Sequence, residues 1–400
     1  MRGKAEMRGT DVTNMKRAYR TSVEGEFPQE LRINLQKELD LRYGENPNQP
    51  GALYRFQETS LAVLTDIRLA KSGKGGLSAT NLMDVCRALG ILKFFPKPAV
   101  AVMKHASPSG FATQHGGSSL AQIYQLARDV DARSAFGSVV VTNRPVDKAT
   151  AQAIMSSFVE AVAAPDFEEG AMEIFGRKKD IRAILFSNLD KLPKFKGDDV
   201  TGWYDLKVLP TGRLVVQAPY LSSIRGPRDL ICDPLVRTDQ ESYVVQRDPT
   251  PTELVDLLTA WYVNIGVSSN SVVFVKDGVT VGIGSGQRER VGAVEEAISR
   301  SYQKALDRKR VAQKAESFSW APADMSWEQM KAELKAKPLE GSAMSSDGFF
   351  PFRDSIDTAA REGVTAIVQP GGSRRDHEII QAVNEHKMAM AFTLERCFAH

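Results

Sequence analysis

Helical and strand-like stretches alternate along this 400-residue chain, and that alternation predicts an α/β fold. Short apolar runs at 99–103, 139–141 and 272–275 are bounded by Gly or Pro, in the manner of buried strands. Each follows a segment whose apolar residues recur at helical spacing. Length suggests two or three units of about 150 residues. No repeat of roughly 20 to 50 residues is visible, which argues against a solenoid.

Composition narrows the function class. The 52 Lys and Arg against 49 Asp and Glu leave a net charge of +3, so no broad electrostatic footprint for nucleic acid is present, although local arginines can hold small anions. Cys86, Cys232 and Cys397 lie far apart and lack the paired spacings of a zinc site or a disulfide framework. A reducing compartment is the simplest reading. No apolar run approaches the ~20 residues that span a bilayer, and the N-terminus lacks a signal-peptide centre. A cytoplasmic protein without a membrane partner or metal is therefore expected. Residues 1–26 are polar and basic, with Arg2, Lys4, Arg8, Lys16, Arg17 and Arg20, and are expected not to pack. Met7 or Met15 could be the true start.

In chain order, a short helical segment is expected after Pro28. It leads to Leu41-Arg42-Tyr43-Gly44-Glu45-Asn46-Pro47-Asn48-Gln49, a dense loop signature. Arg42 offers a planar fork to phosphate, although an arginine stacked on its neighbour Tyr43 is commoner. Gly73-Lys74-Gly75-Gly76-Leu77-Ser78 is a flexible turn. Thr80 is the expected N-cap of a helix with Leu82, Val85, Cys86 and Leu89 on one face, ended by Pro96.

That helix feeds Lys97-Pro98-Ala99-Val100-Ala101-Val102-Met103-Lys104-His105-Ala106-Ser107-Pro108-Ser109-Gly110, which reads as a buried strand entering a tight turn. Lys104 and His105 then sit at the strand end, where open α/β sheets bind ligands, as a fixed cation beside a group that titrates near neutrality. Such a pair suits acyl transfer. The dipeptide alone is equally compatible with Lys104 in solvent and His105 on a loop carbonyl.

A helix over 119–129 turns Leu120, Ile123 and Ala127 inward and delivers Ser134-Ala135-Phe136-Gly137-Ser138 to a strand at 139–141. Gly137 permits close approach of a ligand, as would a plain turn glycine. The next helix carries Ile154 and Phe158 and is expected to end near Glu160 and Pro165, where Glu160 alone reads as a solvated carboxylate. After a strand at 181–186, residues 194–250 are rich in Pro, Gly and Asp and read as a connector. A helix after Pro251, with Leu254, Leu257, Leu258 and Trp261 on its apolar side, delivers Ser268-Ser269-Asn270 to the strand at 272–275. By itself Asn270 reads as a turn residue. Asp277-Gly278 makes a hairpin turn into 279–281.

Gly282-Ile283-Gly284-Ser285-Gly286-Gln287-Arg288-Glu289-Arg290-Val291 runs from a glycine-rich turn into a helix, where free amides and Arg290 favour an anion. It fails the dinucleotide fingerprint, because Gln287 or Glu289 stands where the third glycine is needed. A charged helix around 327–337 precedes Ser346-Asp347-Gly348-Phe349-Phe350-Pro351-Phe352-Arg353-Asp354, in which Asp354 reads as the cap of a helix ending near Gly363. A strand at 366–368, the turn Pro370-Gly371-Gly372-Ser373-Arg374, a helix through Val383 and a strand at 388–392 lead to Arg396-Cys397-Phe398-Ala399-His400.

Together these stretches resemble the transformylase region of the purine-biosynthesis family of aminoimidazole carboxamide ribonucleotide (AICAR) formyltransferase/IMP cyclohydrolase. The likeness covers roughly residues 41–400 and rests on motifs in the family's order: the Leu41 loop, the Lys104-His105 turn, the Phe136-Gly137 turn, segments 270–291 and 349–354, and the Gly371 turn. It implies two tandem cytidine-deaminase-like α/β/α subdomains with a small helical insertion, and a homodimer with active sites between subunits. The implied organisation is a flexible basic extension over 1–34, a first subdomain over 35–200, and a connector with the second subdomain over 201–400.

Roles carry over residue by residue. Lys104 and His105 align with the family's catalytic lysine–histidine pair, and Asn270 with the asparagine that holds the carboxamide. Arg42, Tyr43, Gly137, Glu160, Arg290, Phe349 and Arg396 fall on positions that line the nucleotide site. Val291, Asp354, Ser373 and Arg374 fall on the folate side. The implied substrates are AICAR and 10-formyltetrahydrofolate. Only about forty residues precede Leu41, too few for a folded enzyme domain, so a separate IMP cyclohydrolase is expected elsewhere. The turn after His105 reads Ala-Ser-Pro-Ser-Gly where many relatives have Ala-Asn-Pro-Cys-Gly. Two rival readings are a deaminase-like hydrolase, disfavoured by the lack of a His-x-Glu with paired cysteines, and a non-catalytic sensor of purine nucleotides.

Overall fold

Strands of small and β-branched residues stay dry on both faces only when helices cover both, and this chain meets that need with one eleven-stranded mixed sheet. The computed structural model describes residues 9–14, 27–57, 66–313, 320, 322 and 324–400. Arg2, Lys4, Met7, Arg8, Met15, Lys16, Arg17 and Arg20 lie outside the described residues.

The sheet is built in two passes. After strand β1 (Arg68–Lys71), the first pass runs helix α1 (Ala79–Leu92), β2 (Ala99–Lys104), β3 (Ser107–Thr113), α2 (Leu120–Val130), β4 (Ser138–Thr142), α3 (Lys148–Met155), β5 (Val159–Ala164), α4 (Ala171–Gly176) and β6 (Arg182–Leu185). The second runs α5 (Pro251–Asn264), β7 (Val272–Lys276), β8 (Val279–Gly284), α6 (Arg290–Gln313), α7 (Trp327–Leu334), β9 (Ala343–Ser346), α8 (Asp354–Arg361), β10 (Ala366–Gln369), α9 (Asp376–Glu385) and β11 (Ala389–Phe392). Apart from α7, the succession helix–strand–strand–helix–strand–helix–strand–helix–strand occurs twice. The strand order is β11-β10-β9-β7-β8-β3-β2-β4-β5-β6-β1. Alternate residues of each strand enter opposite cores: Ala101 and Met103 pack with Leu82 and Val85 of α1, while Val100 and Val102 pack with Ile123 and Ala127 of α2.

Local chemistry repeats between the passes. Ser78 and Thr250 each cap their helix through a reciprocal box, with Asn81 and Glu253 as the partners. Asp84 of α1 accepts the Ala106 amide at 2.5 Å, and Asp256 of α5 accepts the Gly278 amide at 2.8 Å, each on the two-residue turn of its hairpin. Lys104 donates to the Gly137 carbonyl at 2.7 Å, and Lys276 to the Glu340 carbonyl at 2.8 Å. The passes meet where β3 and β8 pair antiparallel, at Ala112 and Val279. There the buried Thr280 hydroxyl accepts from Phe111 N at 2.9 Å and donates to Phe111 O at 3.2 Å.

Several expectations are corrected. Residues 28–40 form no helix: Leu35–Asp40 pairs with Ala52–Phe56 as a hairpin, and this pairing overrides the helix-forming Leu, Gln, Lys and Glu side chains. The N-cap of α1 is Ser78 rather than Thr80, and Cys86 faces outward. Helix α3 ends at Met155, and Glu160 lies within β5, because the small, branched run Val159-Glu160-Ala161-Val162 joins the parallel part of the sheet. The turn after Lys104 contains only His105 and Ala106, and residues 107–110 already belong to β3. A register slip between Val102 and Met103 absorbs Pro108, which has no N–H to donate, and the Ser109 hydroxyl bonds the Val102 carbonyl at 3.1 Å. Part of the N-terminal stretch does pack: Thr10–Asp11 pairs with Pro234 and Leu235, and Val12 is buried. The connector also holds a hairpin, Asp205–Val208 with Leu214–Gln217. Among the described residues no helix is long and apolar enough to cross a membrane.

Glu253 ties the start of α5 to the sheet. Burial raises its pKa, but the Arg247 fork at 2.8 and 2.9 Å, the Thr365 hydroxyl and the Thr250 amide prevail and bring it down to about 2. A depressed carboxyl stabilises the fold above its unfolded value, and that contribution is lost as pH falls through the folded value. Replacing Glu253→Gln is expected to cost about 1–3 kcal/mol at neutral pH. The gap should close as denaturant titrations are repeated from pH 4.5 down towards 2; a gap that does not change with pH would refute the ionic role.

Candidate active site

The hairpin turn between β2 and β3 puts Lys104 and His105 at the edge of the sheet. His105 and Ala106 have φ of 54° and 57°, a left-handed pair that suits a two-residue hairpin but strains residues with a Cβ. The Asp84 carboxylate compensates by accepting the Ala106 amide from α1. Its burial pushes the Asp84 carboxyl above the usual range, opposed by the Ala106 amide and by the nearby His105 and Lys104 charges. His105 is exposed.

Lys104 Nζ donates to the carbonyls of Phe136 at 3.1 Å and Gly137 at 2.7 Å. Both partners are neutral. Gly137 has φ of 71°, which favours glycine, and a Cβ there would stand 3.0 Å from Nζ and press on the lysine's position. The same Cβ position is 3.7 Å from the Glu160 carboxylate, whose other oxygen accepts from Asn81 at 3.3 Å. Tyr43 O accepts from the Ala79 amide at the start of α1, and Arg42 lies over the Tyr43 ring at 5.3 Å. The structure thus brings Arg42, Tyr43, Lys104, His105, Gly137 and Glu160 around the first turns of α1. A cleft of about 320 Å³ opens on the other side of the turn, lined by Lys104, His105, Ser109, Ser285 and Lys304.

A second group gathers before β7 and after β9 and β11. The Asn270 amide nitrogen donates to the carbonyls of Gln287 at 2.9 Å and Arg288 at 3.2 Å, and its oxygen accepts from Arg290 at 2.8 Å. Arg290 is buried and paired with the fully buried Asp347, which also accepts from the Ser269 hydroxyl at 2.5 Å. Arg396 and Arg290 both lie against the Phe398 ring, at 4.7 and 5.9 Å. Phe349 is half-buried on the segment after β9. Val291 lies in the first turn of α6. Asp354 is exposed at the start of α8, where it accepts from the Ser355 amide at 2.7 Å. Ser373 is buried in the turn after β10 with its hydroxyl on the Arg375 amide at 3.1 Å, and Arg374 is exposed beside it.

The two groups share one edge of the sheet but do not touch. From β2 to β7 there are three inter-strand steps of about 4.8 Å, roughly 14 Å in all. Motif reading missed Asp84, which sits mid-helix with no pattern around it, and also the exposed Phe136–Phe158 ring pair, 5.0 Å between centroids, beside Lys104.

The family model described as AICARFT/IMPCHase bienzyme matches residues 11–300. The bifunctional purine biosynthesis protein PurH of Magnetococcus marinus is 39% identical, over 94% of this chain and 62% of its own length. PurH of Xanthomonas euvesicatoria is 37% identical, over 94% of this chain and 60% of its own length. The chain therefore spans about 60% of the curated relatives it matches.

Ionising a buried carboxyl with a raised pKa costs stability, and the part that protonation supplied is lost as pH rises from the ordinary carboxylate range through the raised value. Asp84→Asn keeps an acceptor for the Ala106 amide and cannot ionise. Urea titrations at successive pH values should show the variant gaining on the native chain as pH rises above the ordinary carboxylate range. A constant difference between the two would contradict a buried, titrating Asp84.

Proposed function

The chain belongs to the AICARFT/IMPCHase bienzyme family, and from that membership we propose that it transfers the formyl group of 10-formyltetrahydrofolate to the 5-amino group of AICAR. The observation that carries this reading is the Lys104–His105 turn: a cation that among the described residues has no carboxylate partner, and an exposed imidazole, held together at an open sheet edge by Asp84.

The acceptor amine is a poor nucleophile, because its lone pair is delocalised into the ring and carboxamide. His105 removes its proton as the new bond to the formyl carbon forms. Lys104 stabilises the negative charge that develops on the formyl oxygen, and collapse of the adduct expels the folate nitrogen, which takes up the proton that His105 removed. Asn270 orients the carboxamide. Arg42, Tyr43, Gly137, Glu160, Arg290, Phe349 and Arg396 line the nucleotide side, and Val291, Asp354, Ser373 and Arg374 the folate side. Arg290 serves chiefly by holding Asn270, since Asp347 balances its charge. Roughly 14 Å between the two groups is too far for one substrate atom to touch both His105 and Asn270. A homodimer in which each group faces the complementary group of a partner removes that gap. We read the two passes as cytidine-deaminase-like subdomains over 35–200 and 201–400, a reading supported by their shared element order. We also propose a cytoplasmic location.

The test is release of tetrahydrofolate from 10-formyltetrahydrofolate in the presence of AICAR. His105→Ala and Lys104→Ala should each lower turnover by about two to four powers of ten while thermal unfolding stays unchanged. Near-normal turnover in either variant sinks its assignment. AICAR binding without any tetrahydrofolate release in the native chain would favour a sensor.

A further inference from the structure

The repeated architecture forms two equivalent crevices, because each pass ends its parallel strands at a carboxyl edge where open α/β sheets take ligands. In the second pass that crevice is the Asn270, Arg290 and Arg396 group, after β9 and β11. Its counterpart in the first pass lies after β4, β5 and β6, on the opposite edge of the sheet. It is a cavity of about 570 Å³, within the range of small-molecule sites. Asn143 and Arg144 follow β4 there as Asp347 and Gly348 follow β9, and Pro165 follows β5 as Pro370 follows β10.

Its lining is cationic and aromatic. Lys93, Arg144, Lys194 and Arg225 face it with Asp190 as the one carboxylate, an excess of three positive charges. None of the four cations forms a salt bridge among the described residues. Their hydrogen bonds go to backbone carbonyls instead: Lys93 to Pro193 at 2.7 Å, Lys194 to Lys93 at 3.0 Å, Arg225 to Lys196 at 2.7 Å and Arg144 to Asn143 at 2.8 Å. Phe94 and Phe186 form a buried apolar floor, and Phe95 and Phe195 half-buried walls. Burial, and then Lys194 beside it, bring the Lys93 ammonium down to about 8. Lys93 also lies 5.3 Å from the Phe94 ring, and Lys194 and Arg225 lie 5.8 and 4.9 Å from the Phe195 ring, so charge for an anion and apolar surface for a ring stand side by side.

We propose that this crevice binds a phosphate monoester carrying a heteroaromatic ring, of the size of a purine mononucleotide. The inference stands on the crevice itself and does not depend on the formyl-transfer reading.

Calorimetric titration of the intact chain with adenosine 5′-monophosphate, inorganic phosphate and adenosine tests it. The monophosphate should bind more tightly than either fragment. Lys194→Gln/Arg225→Gln should weaken that step by about tenfold or more, the scale of a lost charge-assisted contact, while Lys104→Ala on the opposite edge retains it. Lys194→Arg/Arg225→Lys should restore it. If the double variant unfolds, Arg225→Gln alone carries the test, because that side chain is exposed. Unchanged affinity in the glutamine variants, loss only in Lys104→Ala, or a monophosphate bound no better than phosphate overturns the proposal. Tetrahydrofolate release in the glutamine variants should match the native chain, so the two readings fail separately.

Discussion

The antiparallel seam between β3 and β8 governs the layout of everything else. One buried hydroxyl, Thr280, both accepts from and donates to the backbone of Phe111 across it, so both polar groups of Phe111 are paired where the ladder is short. Because the seam is antiparallel, the second pass is turned end for end relative to the first. The hairpin end of β2 and the entry end of β7 therefore lie on the same edge. A parallel seam would have put Lys104 and Asn270 on opposite edges and left two unrelated half-sites.

Equivalent positions in the two passes have diverged in chemistry while keeping their mechanical task. Asp84 and Asp256 each hold a tight turn through its backbone amides. In the second pass that turn is Asp277-Gly278, whose glycine takes its positive φ at little cost. In the first it is His105-Ala106, where each left-handed residue costs of the order of 1–2 kcal/mol and the carboxylate offsets part of it. The first turn thus carries two left-handed residues with a Cβ where the second carries one, Asp277, and it is the first that presents the exposed imidazole of His105.

The Asn270 group depends on a different balance. Arg290 and Asp347 are both withdrawn from water, which is tolerable only because each has further partners: Asn270 and the Ser271 carbonyl for Arg290, Ser269 for Asp347. The pair fixes the Asn270 amide rather than presenting a free positive charge. Arg396, exposed and stacked on Phe398, is the guanidinium of this group that reaches solvent.

Much of this was legible in the residues, and the rest was not, for physical reasons. Short-range chemistry determined the α/β class, the buried strands, the Asp277-Gly278 turn and the helix after Pro251, since apolar periodicity and turn preference act within a few residues. Lys104 and His105 stood out as candidates at a strand end, whereas Asn270 read locally as a turn residue and gained its role only from the family resemblance. Pairing with distant partners decided the remainder. The segment at 35–40 became a strand because of 52–56, Glu160 entered β5 because of its neighbours β4 and β6, and Thr10–Asp11 packed because of Pro234 and Leu235. Asp84 gained its role only when α1 was laid against the hairpin. The side of the sheet on which each site lies was likewise set by tertiary structure alone, because strand direction at the seam is a relation between residues some 170 positions apart, and no local preference encodes it.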